Sequence, residues 1–284
     1  MPPIVKVILA SILWGASGVY VKEADNMPVL AMAFFRSLIP SLFIYIFLKT
    51  RKAPQKILRK NHKWMLLSSS LNSARTVLFF ISFAYTTIGN AQITLYSWPI
   101  WAAILAYFFM KEQLSLVKVS LLCLTFIGLI FIFIQNELSF DDHHFIGIAA
   151  MALSAFLHSC SVIIFKKYGE DYKSEEIVFY QNAMTPLLLF ALCIPLFSEL
   201  STKQVIIASS FGFINGIIAF SLFFSALKQM KTASAAQITY IEPLCGLLWG
   251  YFLYQEQINL MQIIGGSLIL GSTFALSSLQ KKEA

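Results

Sequence analysis

Three side chains carry charge inside otherwise apolar runs: Arg36, Arg75 and Glu242. A charge at the centre of a bilayer costs roughly 2.5–3.5 kcal/mol on insertion scales, so each needs a partner, a wet cavity or a task. Two cations against one anion leave one positive charge unpaired. Arg75 has the clearest setting, because Ser68, Asn72, Arg75, Phe79 and Ser82 recur at spacings of four, three, four and three. That spacing puts them on one helix face, a polar stripe that should meet protein or water rather than lipid. A guanidinium there can grip a carboxylate or phosphate through two parallel hydrogen bonds. Arg36 stands among Phe34, Phe35 and Leu38, which suits packing or bridging between helices. Glu242 can pair with an arginine, meet a cationic group, or bind and release a proton.

Uncharged groups extend the set. Trp14, Tyr96, Trp98 and Tyr240 fall within apolar runs, away from the interfacial belts where such rings gather. Ser154, His158 and Ser161 share a face at spacings of four and three. A tryptophan and an imidazole can stack on a ring or attract a cation, while Asn72, Gln92 and Asn215 can hydrogen-bond a ligand or a neighbouring helix. Pro99 and Pro243 each remove a backbone N–H in mid-run, free a carbonyl and permit a kink, which makes them candidate gating elements. Other chemistry finds little support. Asp141, Asp142, His143 and His144 are metal-binding types, but four successive loop residues do not define a coordination shell, so no metal is expected. No glycine-rich phosphate loop is present, so no nucleotide or other cofactor is expected. Cys123, Cys160, Cys193 and Cys245 lie in four separate runs without paired spacing and read as small packing residues. Glu112 and Glu256 fall at helix ends and read as solvated structural groups.

The elements that hold these residues follow from composition. Of 284 residues 58% are hydrophobic and only 12% charged, with a mean hydropathy of +0.72, more apolar surface than a water-soluble fold can hide. About 20 apolar residues cross a bilayer as a helix, and the runs divide into ten predicted spans. These are 4–21, 28–48, 64–85, 91–110, 116–134, 145–165, 176–197, 205–226, 233–254 and 260–279. The fold class expected is an all-α integral membrane protein. Its basic residues concentrate between spans 2 and 3, at Lys49, Arg51, Lys52, Lys56, Arg59, Lys60 and Lys63. The odd-numbered connections hold Glu23, Asp25, Glu137, Asp141, Asp142, Glu199 and Glu256. By the positive-inside rule both termini are then cytoplasmic in a multi-pass cytoplasmic (inner) membrane protein. The net charge of +7 is accounted for by attraction to anionic membrane lipid, without a nucleic-acid partner.

An internal repeat is legible at a shift of 144 residues. Pro99 leads to Glu112 as Pro243 leads to Glu256, each thirteen positions on, and Trp14 falls on His158, Lys22 on Lys166 and Phe35 on Phe179. Five spans end on the side opposite to where they began, so the second unit enters the membrane inverted. The expected division is 1–140 and 141–284. The two units are not chemically equal: Tyr180 stands where the first has Arg36, and Trp98 where the second has Glu242.

Phe34-Phe35-Arg36, the Pro99-to-Glu112 unit, the Glu242-Pro243-to-Glu256 unit and the paired five-helix profile resemble the EamA-type branch of the drug/metabolite transporter superfamily over essentially the whole chain. The resemblance implies a carrier whose cavity is lined mainly by spans 1, 3, 4, 6, 8 and 9 and opens alternately to each side. Its expected partner is a small-molecule solute, with Arg75 on an anionic group and the lining aromatics on the remainder. An amino acid, S-adenosylmethionine or a nucleoside-like solute would suit that description. One alternative is proton-coupled efflux of multiple drugs or other hydrophobic cations, which places the burden on Glu242. A membrane-embedded enzyme is disfavoured, since His158 and Glu242 would be its one acid/base pair and no nucleophile accompanies them. A homodimer is compatible with this chain.

Overall fold

Apolar runs in lipid must satisfy every backbone N–H and C=O internally, and these do so as helices. The computed structural model describes residues 1–50, 60–134 and 142–283; Arg51, Lys52, Lys56, Arg59, Glu137 and Asp141 lie outside the described residues. Ten helical spans follow one another. Span 1 is Pro3–Gly15 with Ser17–Glu23, span 2 is Val29–Thr50, span 3 is His62–Tyr85, and span 4 is Ile88–Leu95 with Trp98–Met110. Span 5 is Leu116–Phe133, span 6 is Asp142–Tyr168, and span 7 is Ser174–Cys193 with a 3₁₀ turn at Ile194–Glu199. Span 8 joins Thr202–Phe211 to Phe220–Leu227 through a π-helical stretch, Gly212–Ala219; span 9 is Thr232–Ile238 with Ile241–Tyr254; and span 10 is Leu260–Glu283. Among the described residues seven of the ten are long and apolar enough to cross a membrane by those measures alone. Span 3 falls short because its Ser/Asn/Arg stripe dilutes its apolar content.

Packing between spans obeys the inverted repeat. Spans 3 and 6 pack as spans 8 and 1 do, spans 4 and 6 as spans 9 and 1, and spans 3 and 7 as spans 8 and 2; the pairs 2 with 7 and 5 with 10 are their own counterparts. Spans 1, 3, 4, 6, 8 and 9 thus pack against one another, with the self-paired spans beside them. An even number of spans returns both chain ends to one side, the terminal face; the other is the far face.

The kinks expected at Pro99 and Pro243 are complete breaks. Each proline lies at the start of a second helix, where its missing N–H removes no bond. The breaks tighten into three-residue turns, Ser97 N–H to Thr94 C=O at 3.1 Å and Tyr240 N–H to Gln237 C=O at 3.2 Å. Both second helices also end alike. Lys111 and Gln255 take the left-handed conformation at φ 55° and 56°. The next residue then reaches back six positions, Glu112 N–H to Ala106 C=O and Glu256 N–H to Gly250 C=O, each at 3.2 Å.

Span 8 approaches span 2 closely at its π-helical stretch. A Cβ added at Gly212 would meet Arg36 O at 2.9 Å, and one at Gly216 would strike the Pro40 ring. Short side chains there let the two backbones touch, which fits the preference for small residues between membrane helices.

Candidate functional site

Span 3 is fixed by its own polar stripe. Ser68 and Ser161 hydroxyls lie 2.7 Å apart, the Ser154 hydroxyl donates to Arg75 O at 2.9 Å, and Asn72 Nδ2 donates to Gln181 O at 2.7 Å. Asn72 Oδ1 in turn accepts from Arg75 Nε at 2.9 Å. Asn72 is therefore held by both amide atoms within the protein and orients Arg75, whose terminal nitrogens make no hydrogen bond among the described residues.

An aromatic cluster joins spans 1, 4, 6 and 8. Trp98 and His158 meet edge to face with centroids 4.8 Å apart, Trp14 lies 4.9 Å from Phe220 and 5.3 Å from Phe223, and Phe223 also reaches Trp98 at 6.4 Å. Arg36 holds its guanidinium 5.4 Å from the Phe211 ring. Trp14 Nε1, His158 Nδ1, Arg36 Nε and both amide atoms of Asn215 are buried without a hydrogen-bond partner. Such groups are rare in protein interiors and each asks for an explanation. Asn215 lies in the π-helical stretch of span 8, a type of irregularity frequent at functional sites.

Glu242 opens the second helix of span 9, where its carboxylate lies within hydrogen-bonding reach of the Tyr96 hydroxyl. Arg36, Arg75 and His158 belong to the same electrostatic neighbourhood, since the charges of Arg36 and Arg75 act on both Glu242 and His158. Among the described residues no salt bridge joins Arg36, Arg75 and Glu242. The three charges share a neighbourhood without being paired off.

Tyr240 occupies a different position from its companions. It is fully buried, and its hydroxyl donates to Tyr96 O at 2.7 Å. The span 4 break frees that carbonyl, because Ile100 N–H bonds to Ser97 O instead. Tyr240 thus braces one broken helix against the other. Gln92 is half-buried on the first helix of span 4. Sequence reasoning missed Phe223, which links the two tryptophans, and Gln181, whose Oε1 is buried and unpartnered. It also missed that Asn72 and Asn215, 143 residues apart, fall at nearly the same place in the two repeats.

Fold and site together define a multi-pass helical membrane transporter. The model of the EamA-like transporter family matches residues 1–134 and 145–278, and the chain belongs to that family. A pseudopaline exporter of Pseudomonas aeruginosa is 23% identical over 96% of this chain and 95% of its own length. An uncharacterized transporter, YoaV, of Bacillus subtilis is 22% identical over 94% of each chain. A solved crystal structure matches with a TM-score of 0.84 over 98% of both chains at 16% identity, a likeness of fold.

Proposed function

We propose that this chain carries a small polar metabolite bearing an anionic group across the cytoplasmic membrane by alternating access, with both termini in the cytoplasm. The supporting observation is the set of buried, unpartnered polar atoms of Arg36, Trp14, His158 and Asn215, which with the terminal nitrogens of Arg75 come from spans of both halves. Buried polar groups in lipid are costly unless satisfied, and a solute that completes their bonds gains what the empty site forgoes. Two guanidiniums against one carboxylate select an anion or a zwitterion. Trp14, Trp98 and His158 offer ring faces and edges to the remainder, so amino acids, S-adenosylmethionine and nucleoside-like solutes are the classes to test. The exporter among the relatives favours outward movement. Residues 1–140 and 141–284 form the two rocking units, with the breaks at Pro99 and Pro243 as hinges.

Uptake of a labelled metabolite panel into proteoliposomes, with and without a pH gradient, tests the reading. Saturable uptake of an anionic or zwitterionic solute is expected, and Arg75→Ala abolishes it. Uptake indifferent to Arg75→Ala for every such solute refutes the site. One observation favours a second reading: Glu242 has no salt bridge among the described residues, which leaves its carboxyl available to bind and release a proton. Proton-driven cation efflux would then be lost in Glu242→Gln and kept in Arg75→Ala.

A further inference from the structure

Two ion pairs lie at opposite faces of the molecule and are related by the repeat. Lys166 and Glu112 pair at 2.7 Å at the terminal face; Lys22 and Glu256, each 144 residues removed from its counterpart, pair at the far face. The equivalence extends to the backbone, since both glutamates follow the same left-handed helix end and make the same six-residue return bond at 3.2 Å. The inverted fold thus sets the same carboxylate at each face, and each pair ties one half of the chain to the other.

Their surroundings differ sharply. Side-chain exposure is 13% for Lys166 and 10% for Glu112, against 50% for Lys22 and 53% for Glu256. Glu112 also accepts from Thr232 N–H with both oxygens at 2.9 Å and from the Thr232 hydroxyl at 2.9 Å, while Lys166 donates to Met230 O at 2.8 Å. This knot joins the ends of spans 4 and 6 to the start of span 9. At the far face the surroundings of the pair are looser: Lys22 lies 4.0 Å from the centre of the Tyr254 ring, and the Tyr254 hydroxyl donates to Glu23 at 3.1 Å. A buried, multiply bonded pair is costly to break, whereas an exposed one contributes little.

We propose that the Lys166–Glu112–Thr232 knot is the latch that closes the terminal face between transport steps, and that Lys22–Glu256 is its weaker counterpart at the far face. The carrier therefore rests sealed at its terminal face. This rests on the alternating-access reading above. The levers are the second helices of spans 4 and 9, 13 and 14 residues or about 20 Å long. Each begins at a break beside Trp98 or Glu242 and ends at a latch glutamate, so a solute at the break turns the helix that carries the latch. Burial alone would raise the Glu112 carboxyl, but the bonds from Lys166 and Thr232 outweigh it and hold the group below the ordinary carboxylate range, as a closed latch requires.

Hydrogen–deuterium exchange of the purified full chain in nanodiscs tests this. Glu112→Gln is expected to speed exchange about tenfold at 106–112 and 228–236 and, because the two faces open in turn, to slow it at 20–25 and 251–258. Lys166→Gln, which leaves the Thr232 bonds in place, moves both faces in the same directions with smaller amplitude and covers the case in which Glu112→Gln does not fold. Glu256→Gln gives the mirror image at about twofold. Faster exchange at the terminal face with no slowing at the far face, in both terminal-face variants, marks Glu112 as a simple helix cap and overturns the latch. Reciprocal exchange in the variants, together with a wild-type protein that moves no solute of the panel, keeps the latch and removes the carrier assignment instead.

Discussion

The broken helices of spans 4 and 9 share a backbone and differ in the group they present at the break. Both break one turn before or beside a proline, both tighten into three-residue turns, and both end on a left-handed residue before a glutamate. At the break, one offers Trp98 to His158 and the other offers Glu242 to Tyr96. Even the neighbours differ by symmetry: Ser159 donates to Trp98 O at 2.8 Å, while its counterpart Gly15 lies so close to span 9 that an added Cβ would fall 2.8 Å from Glu242 O. A shared frame suits equal and opposite movement. Unequal side chains place the two cations in one half, the carboxylate in the other and rings in both, and the proposed selectivity rests on that inequality.

The largest expected effect comes from the charge that the symmetry does not duplicate. Arg75→Ala is expected to cost about 2–5 kcal/mol of solute affinity, which proteoliposome uptake reads as a loss of at least thirtyfold; Asn72→Ala, which removes the group that orients Arg75, loses less than Arg75→Ala does. Next comes the buried glutamate at the terminal face. Glu112→Gln is expected to lower thermal stability in detergent by about 1.5–3 kcal/mol at pH 7. Because its folded pKa is depressed, that contribution is present above the unfolded value of 4.5 and disappears as pH falls through the lower folded value. The gap between wild type and Glu112→Gln in thermal melts therefore closes in acid. Glu256→Gln, on the half-exposed counterpart, shifts the same melt by under about 1 kcal/mol, and equal shifts for the two glutamates would end the contrast between faces.

Gly15→Ala sharpens the comparison at the break. The added methyl must displace Glu242 O or the Cys245 side chain, an overpacking cost of about 1–3 kcal/mol, whereas Ser159→Ala gives up hydroxyl bonds at the equivalent place. A melt in which Gly15→Ala is silent would mean that span 9 gives way easily. The smallest effect is Tyr240→Phe. It removes one hydroxyl bond, about 1 kcal/mol, and leaves solute affinity within twofold, because that hydroxyl is directed to Tyr96 O and not to the site.

Much of the frame is legible in the sequence. Apolar runs set the ten spans to within a few residues, because a bilayer admits little else, and the Pro-to-Glu spacing announced the repeat. The stripe on span 3 correctly joined Ser68, Asn72 and Arg75, since helical period alone decides which residues share a face. Roles were harder to read. Asn72 and Tyr240 looked like candidate contacts with a solute, yet their polar atoms are bonded to Arg75, Gln181 O and Tyr96 O. Glu112 read as a solvated helix end, and only the approach of spans 6 and 9 buries it.

What the sequence by itself determined is membrane-embedded helices, their number, the inverted repeat and the inventory of polar groups that lipid cannot satisfy. What only the tertiary structure decided is which of those groups are bonded to one another. Among the described residues, hydrogen bonds between spans join residues 54 to 234 positions apart, such as Lys166 with Glu112, Ser68 with Ser161, Tyr240 with Tyr96 and Lys22 with Glu256. Periodicity fixes a residue's face on its own helix, but the partner across the gap depends on how two helices cross. The same hydroxyl or amide is bonded in one crossing and left open in another, and it is on the open ones that the proposed site rests.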